Sequence, residues 1–163
     1  MSRSLPAWAL AASVAALDQA TKAAALDRLD WGRPCDLVPG FFSLTLVVNT
    51  GAAWGLFRDK GYWLTLLAIA ALVLLVAARR HFTLWGALPR IALGLLSGGI
   101  VGNLVDRIGR GHVVDFLSFH FGRFEWPAFN VADTAICIGV GLYILDSFLR
   151  KEPAAGPPKS PAT

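Results

Sequence analysis

The residues of this chain with most chemistry to offer are aspartates in apolar surroundings. Asp18 and Asp106 lie in or at the end of apolar stretches, Asp115 lies inside HVVDFLSF (112–119), and Asp133 stands near the head of FNVADTAICIGVGLYILDSFLR (129–150). A carboxylate at bilayer depth costs roughly 2.5–3.5 kcal/mol to insert, so Asp18, Asp106 and Asp133 are functional candidates, and Asp115 joins them from the outer loop. Two carboxylates held close together cannot both ionise easily, and they share a proton. The ionised one takes a proton from water, which attacks a carbonyl. The neutral one polarises that carbonyl and later protonates the leaving amine. Proton-coupled transport is the alternative use of membrane acids, and a structural or assembly subunit is the third.

Each acid also has a structural reading. Asn130-x-x-Asp133 resembles a capping box, with Asn130 as the cap and Asp133 in the first helical turn, where the helix dipole favours negative charge. Asp106 can pair with Arg107 or Arg110, and Asp18 with Lys22 one turn away. Asp115, among apolar strand residues, is harder to explain structurally. Asp146 lies one turn from Arg150, where pairing and water account for it.

Other chemistries find little support. Ser97 is not part of a G-x-S-x-G elbow. His112, Asp115 and His120 could approach one another, but H-E-x-x-H and H-x-x-E-H are absent, and no metal or cofactor is expected. Cys35, in a polar loop, and Cys137, in an apolar helix, are not expected to pair and are too few for a zinc framework.

The elements that must carry these acids follow from composition. The chain has 163 residues, 55% of them hydrophobic, with a net charge of +4 and a mean hydropathy of +0.55. That profile predicts a polytopic membrane protein, mainly α, in one domain over 1–150. Its basic excess sets orientation, and nucleic-acid binding is not expected. Four stretches can span, about 5–26, 62–78, 88–106 and 131–149. The first resembles a signal-peptide core but is read as an uncleaved helix. The loop after the second span holds Arg79, Arg80, His81 and Arg90 without an acid, so both termini are expected in the cytoplasm. The tail, 151–163, is Pro/Ala-rich and expected to be disordered.

Counted at about 1.5 Å per residue from Arg3, Arg90 and Arg150, the acids Asp18, Asp106 and Asp133 lie about 22, 24 and 25 Å up. All three fall in the outer third of a core ~30 Å thick. The outer loops contain two strand-like runs, FFSLTLVVN (41–49) and HVVDFLSF, which predict a small sheet on the outer membrane surface. GAAWGLF (51–57) predicts a short interfacial helix. Gly94, Gly98 and Gly102 recur every four residues, a close-packing pattern for the third span. Acids clustered at one level favour a hydrolase over a transporter.

With LDQATK, VVNTGAAWGLF, GGIVGNLVDRI, VVDFLSF and FNVADTAI in this order, the chain resembles the lipoprotein signal peptidases (signal peptidase II) over about 17–149. The resemblance implies a bacterial membrane aspartic endopeptidase of the cytoplasmic (inner) membrane that cleaves prolipoproteins before a diacylglyceryl-modified cysteine. It implies Asp115 and Asp133 as the catalytic pair, with Asp18, Asn49, Asn103, Asp106, Arg107 and Asn130 in support and Gly51 in the same loop motif. Trp54 stands where the family usually has Phe, at the lipid-facing entrance. Membrane lipids and globomycin-type inhibitors are the further partners implied, and a monomer is expected. The first-turn position of Asp133 adds one more expectation, that it carries the charge and Asp115 the proton.

Overall fold

A computed structural model describes residues 5–51, 60–84 and 86–149. Trp54 and, Gly51 excepted, the interfacial helix expected over 51–57 fall outside these residues, as do Arg3, Arg150 and the 151–163 tail. The chain runs through α1 (Leu5–Arg28), β1 (Cys35–Val38), β2 (Phe42–Asn49), α2 (Gly61–Ala77), α3 (Arg79–Leu84), α4 (Ala87–Arg110), β3 (Val113–Phe121), β4 (Phe124–Glu125) and α5 (Val131–Leu149). The protein is mainly helical with a small antiparallel sheet. Two helices, α4 and α5, are long and apolar enough to cross a membrane, and α2 is a shorter apolar helix.

The four expected stretches became helices, the last with its expected bounds and the others with ends shifted by up to four residues. The short basic loop expected after the second stretch contains α3, one and a half turns that fold back onto α4. Cys35, expected in a loop, instead opens β1. Both cysteines are free and exposed.

Helix α4 lies between α1 and α5, and its small residues make this possible. A Cβ added to Gly98 would sit 2.6 Å from the Ala11 carbonyl, and one on Gly99 would sit 2.5 Å from the Ala132 carbonyl. Glycines on two sides of α4 therefore admit both neighbours to backbone contact, where dispersion rather than hydrophobic exclusion holds helices in lipid. The four-residue repeat of Gly94, Gly98 and Gly102 faces α1 throughout. Helix α2 packs mainly on α4 and buries only Leu64. Leu66, Leu67, Ile69, Val73, Leu74 and Val76 are exposed, while Leu72 and Leu75 are half-buried. Tyr62 and Trp63 at its head are exposed, the aromatic pair favoured at a membrane–water boundary.

The sheet has the order β1-β2-β3-β4. Pairing of β2 with β3 places Val47 opposite Asp115 and Asn49 opposite Val113, after a register shift between Leu44 and Val47. Ala25, Leu46, Val114 and Phe116 form a buried cluster that fixes the sheet to the end of α1. The approach to α5 is bound to the same sheet. Phe129 N–H donates to the Leu117 carbonyl at 3.0 Å, and the Phe129 carbonyl accepts from Leu117 N–H at 2.9 Å. β3 and the head of α5 thus form one structural unit.

Candidate active site

The capping box expected at α5 is present and reciprocal. Asn130 Oδ1 accepts the Asp133 N–H at 2.9 Å, and Asp133 Oδ2 accepts the Asn130 N–H at 3.3 Å. Two orphan amides at the helix start are satisfied together. The cap does not exhaust Asn130. Its side-chain Nδ2 donates to Asp115 Oδ1 at 2.7 Å. One asparagine therefore contacts both aspartates, one from β3 and one from α5.

Two further asparagines complete the cradle. Asn49 Nδ2 donates to Asp115 Oδ2 at 2.8 Å, while its Oδ1 accepts the Gly51 N–H at 2.9 Å. Asn103 Nδ2 donates to Asp133 Oδ1 at 2.8 Å, while its Oδ1 accepts from Lys22 Nζ at 3.0 Å. In all three asparagines the carbonyl oxygen meets a donor, which turns the NH2 group toward a carboxylate. An amide does not titrate near neutral pH, so it orients the acids without competing for their proton.

The two aspartates are not equivalent. Asp115 is 1% exposed, whereas Asp133 is partly exposed and lines a cavity. Burial, then the neighbouring Asp133 charge, raise the Asp115 carboxyl to about 7, against the opposing pull of Asn49 and Asn130. A carboxylic acid with that affinity keeps its proton under mildly acidic conditions and can donate it.

The cavity has a volume of about 500 Å³. Asn49, Asn103, Arg107 and Asp133 form its polar end. Ala68, Ile100, Ile136 and Ile138 from α2, α4 and α5 form its apolar wall, and Trp126 belongs to its lining. Polar groups converging at one end of an apolar cavity are the usual form of a small-molecule or substrate site. Arg107 Nη2 donates to the Gly51 carbonyl at 3.4 Å, so Gly51 is held from both sides.

Asp18 and Asp106 belong to a second, fully buried group. Lys22 Nζ lies 2.8 Å from Asp18 Oδ2 and 2.9 Å from Asp106 Oδ2, all three side chains being 0% exposed. Asp106 also pairs with Arg110. Of the two arginines weighed for Asp106, Arg110 is the partner, and Arg107 turns to Gly51 instead. Gln19 Nε2 donates to Asp18, Asp106 and the Gly102 carbonyl at 3.0–3.2 Å. Gly102 is required here, because a Cβ would stand 2.6 Å from Asp18 Oδ2. These acids are committed to cations, which leaves the transporter reading without a chain of exchangeable carboxylates. His120 Nε2 lies 2.9 Å from Ser43 Oγ on the sheet and does not join Asp115. Among the described residues no group of three or more metal-ligating side chains assembles.

Sequence reasoning missed Lys22 as the hub of that group, and it missed Gln19. The i, i+4 spacing of Asp18 and Lys22 was visible, but the third partner is 84 residues further along the chain. The cavity wall was not foreseen either, because apolar helical residues carry no local sign of which neighbour they face.

Comparison with known proteins identifies the family. Residues 10–149 match the family model described as signal peptidase (SPase) II. The lipoprotein signal peptidase of Neisseria gonorrhoeae is 40% identical over 151 residues, covering 89% of this chain and 90% of the relative. That of Burkholderia thailandensis is 44% identical over 138 residues, covering 82% and 81%. A bacterial membrane enzyme solved by the in meso method at 2.3 Å superposes with a TM-score of 0.79 at 30% identity, covering 92% of this chain and 94% of that one. The family match spans both the sheet and the helices that hold the asparagine cradle, and the chain belongs to the signal peptidase II family.

Proposed function

We propose that this peptidase is a membrane aspartic endopeptidase that cleaves prolipoproteins on the amino side of a diacylglyceryl-modified cysteine, with Asp115 and Asp133 as its catalytic pair. The observation that carries the reading is the shared asparagine. Asn130 contacts both carboxylates at the polar end of a cavity whose remaining wall is apolar.

Asp133 faces the cavity and acts as the base. It accepts a proton from water as the oxygen attacks the scissile carbonyl carbon. Asp115, protonated, passes its proton to the carbonyl oxygen as charge develops there, giving a tetrahedral diol. On collapse a diol hydroxyl returns a proton to Asp115 as the C–N bond breaks, and the proton taken up by Asp133 passes to the leaving amine. Asn49, Asn103 and Asn130 hold the carboxylates, and Arg107 lines the approach. The division of charge rests on the depth of Asp115, its raised proton affinity and the first-turn position of Asp133.

The surrounding architecture suits a lipid-anchored substrate. The cavity wall between α2, α4 and α5 is apolar, and a diacylglyceryl group partitions there for the same reason these helices do. We assign α1, α2, α4 and α5 as four spans of the bacterial cytoplasmic membrane, in one domain over 1–150, with both termini in the cytoplasm and the sheet at the outer leaflet. The enzyme acts as a monomer and takes globomycin-type inhibitors in the same cavity. The test is cleavage of a lipidated precursor by purified wild-type, Asp115→Asn and Asp133→Asn proteins. Each substitution is expected to lower kcat about 10²–10⁴-fold. Full activity in either variant would remove that residue from the pair.

A further inference from the structure

Lys22 is the largest fully buried side chain among the described residues, and the reaction described above does not use it. Its ammonium has three donors and three acceptors around it, Asp18 Oδ2 at 2.8 Å, Asp106 Oδ2 at 2.9 Å and Asn103 Oδ1 at 3.0 Å. Each contact continues toward a proposed catalytic residue. Asn103 donates to Asp133 itself at 2.8 Å. Asp18 Oδ1 accepts the N–H of Ala132, the residue before Asp133, at 2.9 Å. Asp106 Oδ2 accepts the N–H of Val114, the residue before Asp115, at 3.1 Å.

We propose that Lys22 is a positioning residue for the peptidase reaction: it fixes the Asn103 amide in the orientation that donates to Asp133, and through Asp18 and Asp106 it fixes the backbone ahead of both aspartates. The inference rests on the assignment of Asp115 and Asp133 as the catalytic pair. Stability alone is a weak reason for such a group. Buried ion pairs recover their desolvation penalty only with excellent geometry, and apolar replacements are often neutral or stabilising. What an apolar side chain cannot do is point three donors at once. Without the ammonium, Asn103 Oδ1 keeps only the longer contact from Asn130 Nδ2 at 3.3 Å, an amide already shared with Asp115, and the Asn103 amide is freer to rotate and present its carbonyl oxygen to Asp133, a repulsive contact. Lysine suits the position because its ammonium is a compact donor of three hydrogen bonds, whereas an arginine fork is planar. The charges balance locally, Asp18 and Asp106 against Lys22 and Arg110.

The charged groups facing the pair are Asp18 and Lys22 from α1, and Asp106, Arg107 and Arg110 from α4, with Asp115 and Asp133 themselves from β3 and α5. Lys22 lowers the proton affinity of Asp115. Its removal should therefore move the alkaline limb of the kcat/KM profile, where Asp115 gives up its proton, to higher pH.

The experiment compares wild type, Lys22→Met and the charge-balanced Asp18→Asn/Lys22→Met in purified, lipid-reconstituted form. The substrate is a diacylglyceryl-modified precursor peptide. The double variant leaves Asp106 paired with Arg110 and retains an oxygen for the Ala132 N–H. Expected for either folded variant is a fall in kcat of about 100-fold, as for a misplacement near 1 Å, with KM unchanged and the alkaline limb displaced upward. A folded double variant with wild-type kcat and an unmoved limb overturns the proposal. Failure of both variants to fold also overturns it, in favour of a purely structural lysine. Activity in Asp115→Asn or Asp133→Asn would instead sink the catalytic assignment beneath it, which keeps the two failures distinct.

Discussion

Asn130 Nδ2 lies 2.7 Å from Asp115 Oδ1, and through this contact a helix cap becomes part of the proposed reaction centre. The same side chain terminates the backbone of α5 and orients a carboxylate on β3. Fold and site share one residue, so the two roles must be separated by substitution.

Asn130→Asp separates them. An aspartate caps a helix as well as an asparagine, but it turns the donor facing Asp115 into an acceptor and adds a like charge. We expect a protein that folds, with kcat at least about 100-fold lower. Asn130→Ala should in addition lose about 1 kcal/mol of stability from the cap. Precursor cleavage, read beside thermal melting in detergent, distinguishes the two; equal activity in Asn130→Asp and wild type would contradict the orienting role.

Asp115 has a stability signature that its chemistry predicts. Its folded proton affinity, at about 7, is above the ordinary value of 3.8. The group stabilises the fold fully below pH 3.8, and that contribution is lost as pH rises through about 7. Asp115→Asn removes the titration. The variant should melt higher than wild type at pH 8, with a smaller difference at pH 5. A difference that does not shrink toward pH 5 would place the raised affinity elsewhere.

The glycines of α4 predict opposite effects for one chemical change. Gly98→Ala drives a Cβ to 2.6 Å from the Ala11 carbonyl and should destabilise by about 1–3 kcal/mol, as overpacking does. Gly109→Ala meets nothing within 4 Å and should be neutral or stabilise by up to about 1 kcal/mol through helix propensity. Melting temperatures of the two variants, side by side, check this.

The cavity wall predicts a substrate effect without a chemical one. Ala68 lines the cavity from α2 and makes no polar contact there. Ala68→Trp should fill part of the ~500 Å³ space and raise KM for the lipidated precursor severalfold, while the pH limbs of kcat/KM stay in place. An unchanged KM would mean that the lipid does not enter between α2 and α4.

Much of this was legible in advance because its causes are local. The cap at α5 could be read from Asn130 and Asp133 at a three-residue spacing. That some helix packs closely on α4 could be read from glycines repeated every four residues, though not that it is α1, and the two main strands could be read from β-branched and aromatic runs. The resemblance supplied what spacing could not, the choice of Asp115 and Asp133 among four acids. The small helix α3 was missed because six residues carry too little periodicity to register.

By itself, the sequence determined an apolar, helical membrane chain with acids at one level and an asparagine at the head of its last helix. Those features follow from side-chain polarity and from hydrogen bonds that close within a single turn. Tertiary structure decided which oxygen meets which nitrogen. Asn49 reaches Asp115 across 66 residues, Asn103 reaches Asp133 across 30, and Lys22 reaches Asn103 across 81. None of these pairings has a sequence period, because each depends on the register of β2 against β3 and on how closely glycine lets α1 and α5 approach α4. The ammonium that appeared to be a partner for Asp18 alone became, through that packing, the common anchor of both aspartates.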